Sequence, residues 1–283
     1  SVIKPMTAHA VAQLVQAGKL DLEAPIQTYV PNFPQKSGTI TTRQLLGHLS
    51  GIRHYQGDEF FNHSPFGSVT EGLAMFKNDP LVHQPGERYL YSSYGYNLLS
   101  AVIEGAAGEL YLAYMSNHVL GPMGMDDTKP DHLARIIPGR GRYYSRGDGE
   151  LSNAPEVDNS YKWASGGYIG SVDDLVRFGL AQLRDEPIND TVRSIFWVEQ
   201  TTNSGEKTGY GLGWIIRTDE NGQQWIGHGG GSVGGTTQFW INPGQGLVIA
   251  MISNLSDFKY GNILPALGRV FAPVPVAPSQ PSQ

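Results

Sequence analysis

The opening stretch SVIKPMTAHAVAQLVQAGKL, residues 1–20, decides how the rest of the chain is read. Met6, Val11, Leu14 and Val15 recur at helical spacing, and the pattern stops at Gly18, a residue suited to the turn just past a helix end. The spacing therefore predicts a helix over Ser1 to Ala17. Pro5 falls in its first turn, where backbone N–H groups have no intrahelical acceptor, so it does not break the helix. Ser1 then sits at the helix N-terminus, where the helix dipole favours developing negative charge. Ser1-Val2-Ile3-Lys4 fits S-x-x-K, and residues three apart on a helix put hydroxyl and amine side by side on one face. The amine accepts the hydroxyl proton only when uncharged, so Lys4 has to be buried or placed beside another cation. Serine and lysine three apart are common by chance, and the tetrapeptide acquires meaning only from what lies downstream.

Outward from this helix, residues 25–200 show short helical patterns joined by polar loops rich in Gly, Pro, Asn and Asp. Helices are expected at Thr42 to Ser50, Val69 to Lys77, Tyr94 to Ala107, Leu110 to Leu120 and Val172 to Leu183. Leu45, Leu46, Leu49, Leu98, Leu99, Val102 and Ile103 form their core stripes. After Tyr210 the pattern turns to β: YGLGWII, QQWIGHGG, TTQFWI and LVIAMIS read as an antiparallel meander. A last helix over Asp257 to Phe271 is expected to pack Ile263, Leu264, Leu267 and Val270 on the sheet, with a kink at Pro265. These patterns divide the chain into an α/β sheet domain (1–24 and 201–271), an inserted, mainly helical domain (25–200) and a disordered Pro-rich tail (272–283). No repeat at a fixed period is visible.

Two further clusters carry chemistry in the right order. Tyr91-Ser92-Ser93 precedes a helix, and His228-Gly229-Gly230 lies on a strand ahead of GSVGGTTQFWINP. With AGKLDLEAPIQTYVPNFP (17–34), TTRQLLGHLSGIRHY (41–55), MFKNDP (75–80), PGERYLYSSYGYNLL (85–99) and VDNSYKWASGGYIGSVDDLVRF (157–178), they make the chain resemble the class C β-lactamase-like, penicillin-recognising serine hydrolases, the mitochondrial β-lactamase-like proteins and their bacterial relatives among them. The resemblance covers nearly the whole length. It implies a β-lactamase/transpeptidase-like fold, with an antiparallel sheet flanked by helices, an inserted helical domain and the site between them. It also implies acyl-enzyme chemistry on an amide, peptide or ester, with no metal and no cofactor. Ser1 would be the nucleophile, Lys4 the activating amine, and Tyr91 a general base or proton shuttle held as a partial phenolate by Lys4. Ser93 stands where the family's Y-x-N element has Asn, which puts amide-type substrate contacts in doubt. His228, Gly229 and Gly230 match the family's K-T-G strand in an H-x-G form. Gly231 would add its backbone N–H to that of Ser1 as the oxyanion hole. Asp158, Asn159 and Tyr161 would border the cleft, although loop hydrogen bonding explains them equally well.

Composition narrows the partners. Net charge is −6 and no Lys/Arg cluster is present, so nucleic acid is excluded as a partner, leaving a small-molecule or peptide acyl substrate and the option of a homo-oligomer. The apolar run Leu247 to Ile252 falls far short of the ~20 residues a membrane span needs. With no cysteine, thiol nucleophiles, disulfides and thiolate metal sites drop out, and the eight histidines contain no H-E-x-x-H pair. A periplasmic or other extracytoplasmic location rests on the family resemblance alone.

Three motif look-alikes are set aside. Lys207-Thr208-Gly209 spells K-T-G but precedes YGLGW, so it reads as a loop. Gly230-Gly231-Ser232-Val233-Gly234 spells G-x-S-x-G, yet a strand follows where a nucleophile elbow needs a helix. The same missing helix removes Gly229, Gly231 and Gly234 as a pyrophosphate cradle. Two other functions compete with hydrolysis: a non-catalytic binding or assembly module of the same fold, and an N-terminal-nucleophile hydrolase, which would leave Lys4, Tyr91 and His228 unexplained. Relatives carry strands ahead of S-x-x-K, so the chain is also expected to be a piece of a longer protein, with its N-terminal strands missing and one sheet edge bare.

Overall fold

The computed structural model describes residues 1–184, 187–261 and 263–271, and the expected tail over 272–283 lies outside them. Its first helix, α1 (Ile3–Gln16), is buried almost all round: Ile3, Lys4, Met6, Ala8, Val11 and Leu14 point in different directions and none reaches solvent. A helix without a polar face belongs in the middle of a molecule. It ends as expected at Gly18 (φ +66°), past which Lys19 N–H bonds the Leu14 carbonyl at 2.9 Å.

Around α1 the chain lays down α2 (Thr42–Leu46), α3 (Val69–Gly72), α4 (Ser93–Ala107), α5 (Tyr111–Tyr114), the short strand β1 (Lys129–Pro130), the hairpin β2 (Tyr144–Gly147) and β3 (Glu150–Asn153), α6 (Trp163–Gly166), β4 (Tyr168–Ile169), α7 (Val172–Gln182) and α8 (Asp190–Phe196). The main sheet follows as β5 (Ile215–Thr218), β6 (Gln224–Ser232), β7 (Gly235–Asn242) and β8 (Leu247–Ser253), and α9 (Ile263–Phe271) closes the described chain. The sheet is antiparallel in the order β5-β6-β7-β8, with His228 opposite Phe239 and Phe239 opposite Ala250. α1 lies between β6 on one side and α4 and α6 on the other. The core joins the layers: Phe178 of α7 stacks on Trp214 at 6.0 Å and packs against Phe239 of β7. Gly213 (φ +94°) lets the loop before β5 press on α1, since a Cβ there would come within 2.2 Å of the Ala8 methyl.

Several expected helices are shorter, and the first, expected from Ser1, begins at Ile3 with Ser1 in the turn that leads into it. α2 stops at Leu46 because His48 turns left-handed (φ +58°), and the stretch expected to run to Lys77 breaks into α3 and a 3₁₀ turn, Leu73–Met75. The reading of residues 25–200 as helices and loops missed the β2–β3 hairpin, which turns at Asp148 (φ +48°) and Gly149 (φ +86°). Of YGLGWII, only the stretch from Ile215 on is strand. α9 begins at Ile263, so Pro265 falls in its first turn and no kink is needed. Ile263 and Val270, expected on the sheet, face solvent instead. No single described helix is long and apolar enough to cross a membrane.

Candidate active site

The site grows from the first turn of α1. Lys4 is 0% exposed, and its Nζ lies 3.0 Å from Ser1 Oγ and 3.3 Å from Ser93 Oγ while donating to the Ser165 carbonyl at 2.7 Å. No described carboxylate pairs with it. Burial first, and the neighbouring Lys162 second, hold the Lys4 ammonium well below the ordinary lysine range. An uncharged Lys4 has a lone pair free for the Ser1 proton.

Tyr91 closes the second side of Ser1. Its hydroxyl donates to Ser1 Oγ at 3.0 Å, and Lys4 Nζ stands 4.9 Å over its ring. The expectation of a partial phenolate is corrected here: burial pushes the Tyr91 phenol well above its usual value, so it rests as a neutral donor. Two histidines that the sequence reading did not single out hold this loop. His48 Nδ1 accepts the Ser92 N–H at 3.1 Å, and His54 Nδ1 accepts the Ser93 N–H at 3.2 Å. The Ser92 hydroxyl meanwhile caps α4 by accepting from Gly95 N–H at 3.0 Å. Both imidazoles must be neutral to accept, and burial foremost keeps them so, driving His54 down to about 4.

The third side is the end of β6. The Val233-Gly234 turn joins β6 to β7 at the pair Ser232 and Gly235, which a two-residue hairpin makes a hydrogen-bonded pair. Alternation then directs the N–H and C=O of His228 and Gly230 to β7. Those of Gly229 and Gly231 point to the opposite edge, where β5 stops pairing at Gly227. The Gly231 N–H is thus unclaimed by the sheet, and a Cβ at Gly231 would meet nothing within 4 Å. At Gly230 a Cβ would come within 3.0 Å of the Ser1 nitrogen, so glycine lets strand and chain start meet closely without crowding. His228 lies on the same strand face as Gly230 but touches neither Ser1 Oγ nor Lys4 Nζ. Its Nδ1 donates to the Gly229 carbonyl at 2.5 Å, and its Nε2 accepts from the Tyr210 hydroxyl at 2.9 Å. Both ring nitrogens are thus engaged away from the reacting serine.

A cleft of about 750 Å³ runs from Ser1, Val2 and Met6 past Gly231 to Asp131, Arg140, Tyr143 and Asn159. Asp158 accepts from the Ser160 backbone at 2.8 Å, and Tyr161 donates to the Glu59 carbonyl at 2.9 Å. Asn159 lines the cleft but gives its Nδ2 to Asp131 at 3.0 Å. All three thus make the loop hydrogen bonds that were the plainer reading. Lys207 lies in a loop with its side chain 79% exposed, 3.6 Å from Glu199. Lys162, Ser165, Tyr55, His48, His54 and Tyr210 were not picked out from sequence. Only their place within the quoted family-like segments set all of them but Tyr210 apart from other polar residues.

Known proteins share the sequence family and the fold of this chain. The Beta-lactamase family model matches residues 1–269. The human mitochondrial serine β-lactamase-like protein LACTB is 29% identical over 91% of this chain and 66% of its own length, so the chain spans about two thirds of that relative. The octameric penicillin-binding protein homologue from Pyrococcus abyssi superposes with a TM-score of 0.81 at 26% identity, over 95% of this chain and 64% of that one. A D-stereospecific amidohydrolase from Streptomyces sp. shares the fold, with a TM-score of 0.80 at 24% identity over 90% of this chain and 81% of that one. The fold is thus the β-lactamase/transpeptidase-like one, an antiparallel sheet flanked by helices. Because the family match runs from the S-x-x-K turn into α9, it covers an entire arrangement of helix, tyrosine loop and glycine strand, and the chain belongs to the β-lactamase family.

Proposed function

We propose that the chain is a serine hydrolase of the class C type, acting through an acyl-enzyme on an amide, peptide or ester. The observation that carries this reading is convergence: Lys4 Nζ and the Tyr91 hydroxyl each sit 3.0 Å from Ser1 Oγ. Ser1 Oγ attacks the substrate carbonyl carbon as its proton passes to uncharged Lys4. The oxygen that becomes negative lies between the N–H groups of Gly231 and Ser1. As the bond to the leaving group breaks, Tyr91 gives that group its proton, and the ammonium of Lys4 makes the loss good. Water then attacks the ester, yielding its proton to the same pair as Ser1 Oγ departs and is reprotonated.

In this scheme Ser93 holds the Lys4 amine, while Gly229 and Gly230 keep the strand edge open to an extended substrate. His228 acts through the Gly229 carbonyl rather than on the reacting atoms. The sheet portion (1–24 and 201–271) and the helical portion (25–200) would be the two domains that meet at the site. The names of the Streptomyces and Pyrococcus neighbours support an amide or peptide acyl group, and the octameric state of the latter supports a homo-oligomer, which light scattering tests. The functional test is intact-mass labelling with a fluorophosphonate and with a penicillin, followed by peptide mapping. An adduct on Ser1 that disappears in Ser1→Ala is expected, and the penicillin arm reports β-lactam recognition. An adduct that persists in Ser1→Ala would overturn the assignment.

A further inference from the structure

A second lysine lies behind the first. Lys162, in the 3₁₀ turn Ser160–Lys162 ahead of α6, is 2% exposed. Its Nζ stands 4.5 Å over the Phe60 ring, 5.3 Å over Tyr161 and 5.8 Å over Tyr55. Buried lysines ordinarily find a carboxylate. Among the described residues none pairs with this one: Asp131, the acid whose charge it feels, is already bound to Arg140 at 2.7 Å and to Asn159 at 3.0 Å. The rings substitute for a counter-ion, since their faces favour a positive charge.

This caged charge lies close to Lys4. Ser165 links the two lysines, its hydroxyl donating to the Lys162 carbonyl at 3.3 Å and its carbonyl accepting from Lys4 Nζ at 2.7 Å, and the hydroxyl of Tyr55, one of the caging rings, faces Ser93 and Ser165. Both amines are buried, and Coulomb repulsion between buried charges is weakly screened. The other groups facing Lys4 do not compete. Ser1 comes from the start of α1, and Tyr91, Ser93 and Tyr96 come from the tyrosine loop and α4. His48 and His54 come from the segment after α2 and His228 from β6, and burial leads in keeping all three neutral. The phenols of Tyr55, Tyr91 and Tyr96 are likewise pushed up and stay neutral.

We propose that Lys162 is a positioning residue for proton transfer at Ser1: its charge, fixed behind the Tyr55 ring, keeps Lys4 in the uncharged form that accepts the serine proton. The proposal rests on the reading of Ser1 as nucleophile and Lys4 as base. It explains why a charge is kept in a buried place without an acid: a carboxylate there would neutralise the field that Lys4 needs. It also assigns the single proton of the pair. Lys162 is lowered to about 8, whereas burial first and Lys162 second hold Lys4 well below the ordinary lysine range, so near neutral pH Lys162 carries the charge.

The test is the rate of fluorophosphonate acylation of the intact chain as a function of pH, for the parent, Lys162→Met and Lys162→Arg. Removing a positive neighbour raises the pH at which Lys4 loses its proton, so the acid limb in Lys162→Met should move up by about one pH unit. Acylation then slows roughly tenfold on the limb and recovers at higher pH, while Lys162→Arg, which keeps the charge, follows the parent. A limb that stays in place in Lys162→Met, whether the rate is unchanged or lowered uniformly, overturns the proposal. Should Lys162→Met fail to fold, Lys162→Gln is read in the same way; failure of both with Lys162→Arg folded makes the ammonium a structural group and also overturns it. A parent adduct that maps away from Ser1, or a Lys4→Met profile identical to the parent's, instead marks failure of the underlying reading.

Discussion

The first turn of α1 and the glycine end of β6 face each other across the same serine, yet they contribute in different ways. α1 contributes side chains: Lys4 reaches Ser1, Ser93 and Ser165 with one buried amine. β6 contributes backbone and space. Its one chemically suggestive side chain, His228, has both nitrogens engaged away from the serine, by Tyr210 and by the Gly229 carbonyl. The difference follows from geometry. Residues three apart on a helix stack on one face and meet, whereas a strand end alternates its peptide groups between two edges and leaves every second N–H free. Lysine and histidine at motif positions are thus not equivalent evidence: one is in contact with the reacting atom and the other supports the strand that borders it.

The largest expected effects test the helix side. Lys4→Met should lower the acylation rate by about 10²–10⁴-fold, the range for losing a positioned proton acceptor, with little change in KM for an ester substrate. Tyr91→Phe should fall in the lower part of that range, and a phenol that rests neutral predicts that its effect is felt mainly in departure of the leaving group. Stopped-flow comparison of good and poor leaving groups checks this: equal losses for both would contradict it.

On the strand side, His228→Ala should slow acylation by roughly tenfold, as expected for a lost positioning contact on the oxyanion strand, and Tyr210→Phe should follow it in direction. Lys207→Ala, in the other K-T-G-like triplet, should be nearly silent. Were those two effects reversed, the site strand would have been misplaced. A subtler consequence concerns stability. His9 and His54 are both held near about 4 by burial, below the 6.5 of an exposed imidazole. Above 6.5 folded and unfolded chains bind no proton there and the stabilisation is complete. As pH falls from 6.5 to about 4 the unfolded chain takes up protons that the folded one refuses, so the melting temperature should decline in this window. His9→Gln should flatten the decline, and a profile unchanged by it would show that His9 does not contribute.

Much of the site was legible because local chemistry wrote it. Ser1 and Lys4 were readable from spacing, and Tyr91 and the glycines of β6 from their order along the chain. The β2–β3 hairpin was missed: Asp148-Gly149 is a pair suited to a tight two-residue turn, but its strands are largely exposed and lack the apolar alternation that marks a strand. His48, His54 and Lys162 belong to no motif of their own, and only the long family-like segments around them set them apart from surface residues. His48 becomes an acceptor for Ser92 only because its backbone turns left-handed after α2 and sets its ring under the tyrosine loop.

By itself the sequence determined the helix that follows Ser1 and bears Lys4, the antiparallel strands after Tyr210, the glycine strand end and the family, because each depends on residue type at short range or on long matched segments. The tertiary structure alone decided the protonation of the site. Whether Tyr91 is phenol or phenolate, whether Lys4 is charged, and whether His228 reaches the serine or turns from it depend on burial and on neighbours distant in sequence, such as Ser165, Lys162 and Tyr210. A pKa is set by desolvation and nearby charge, and both are properties of the packed molecule that no linear motif contains.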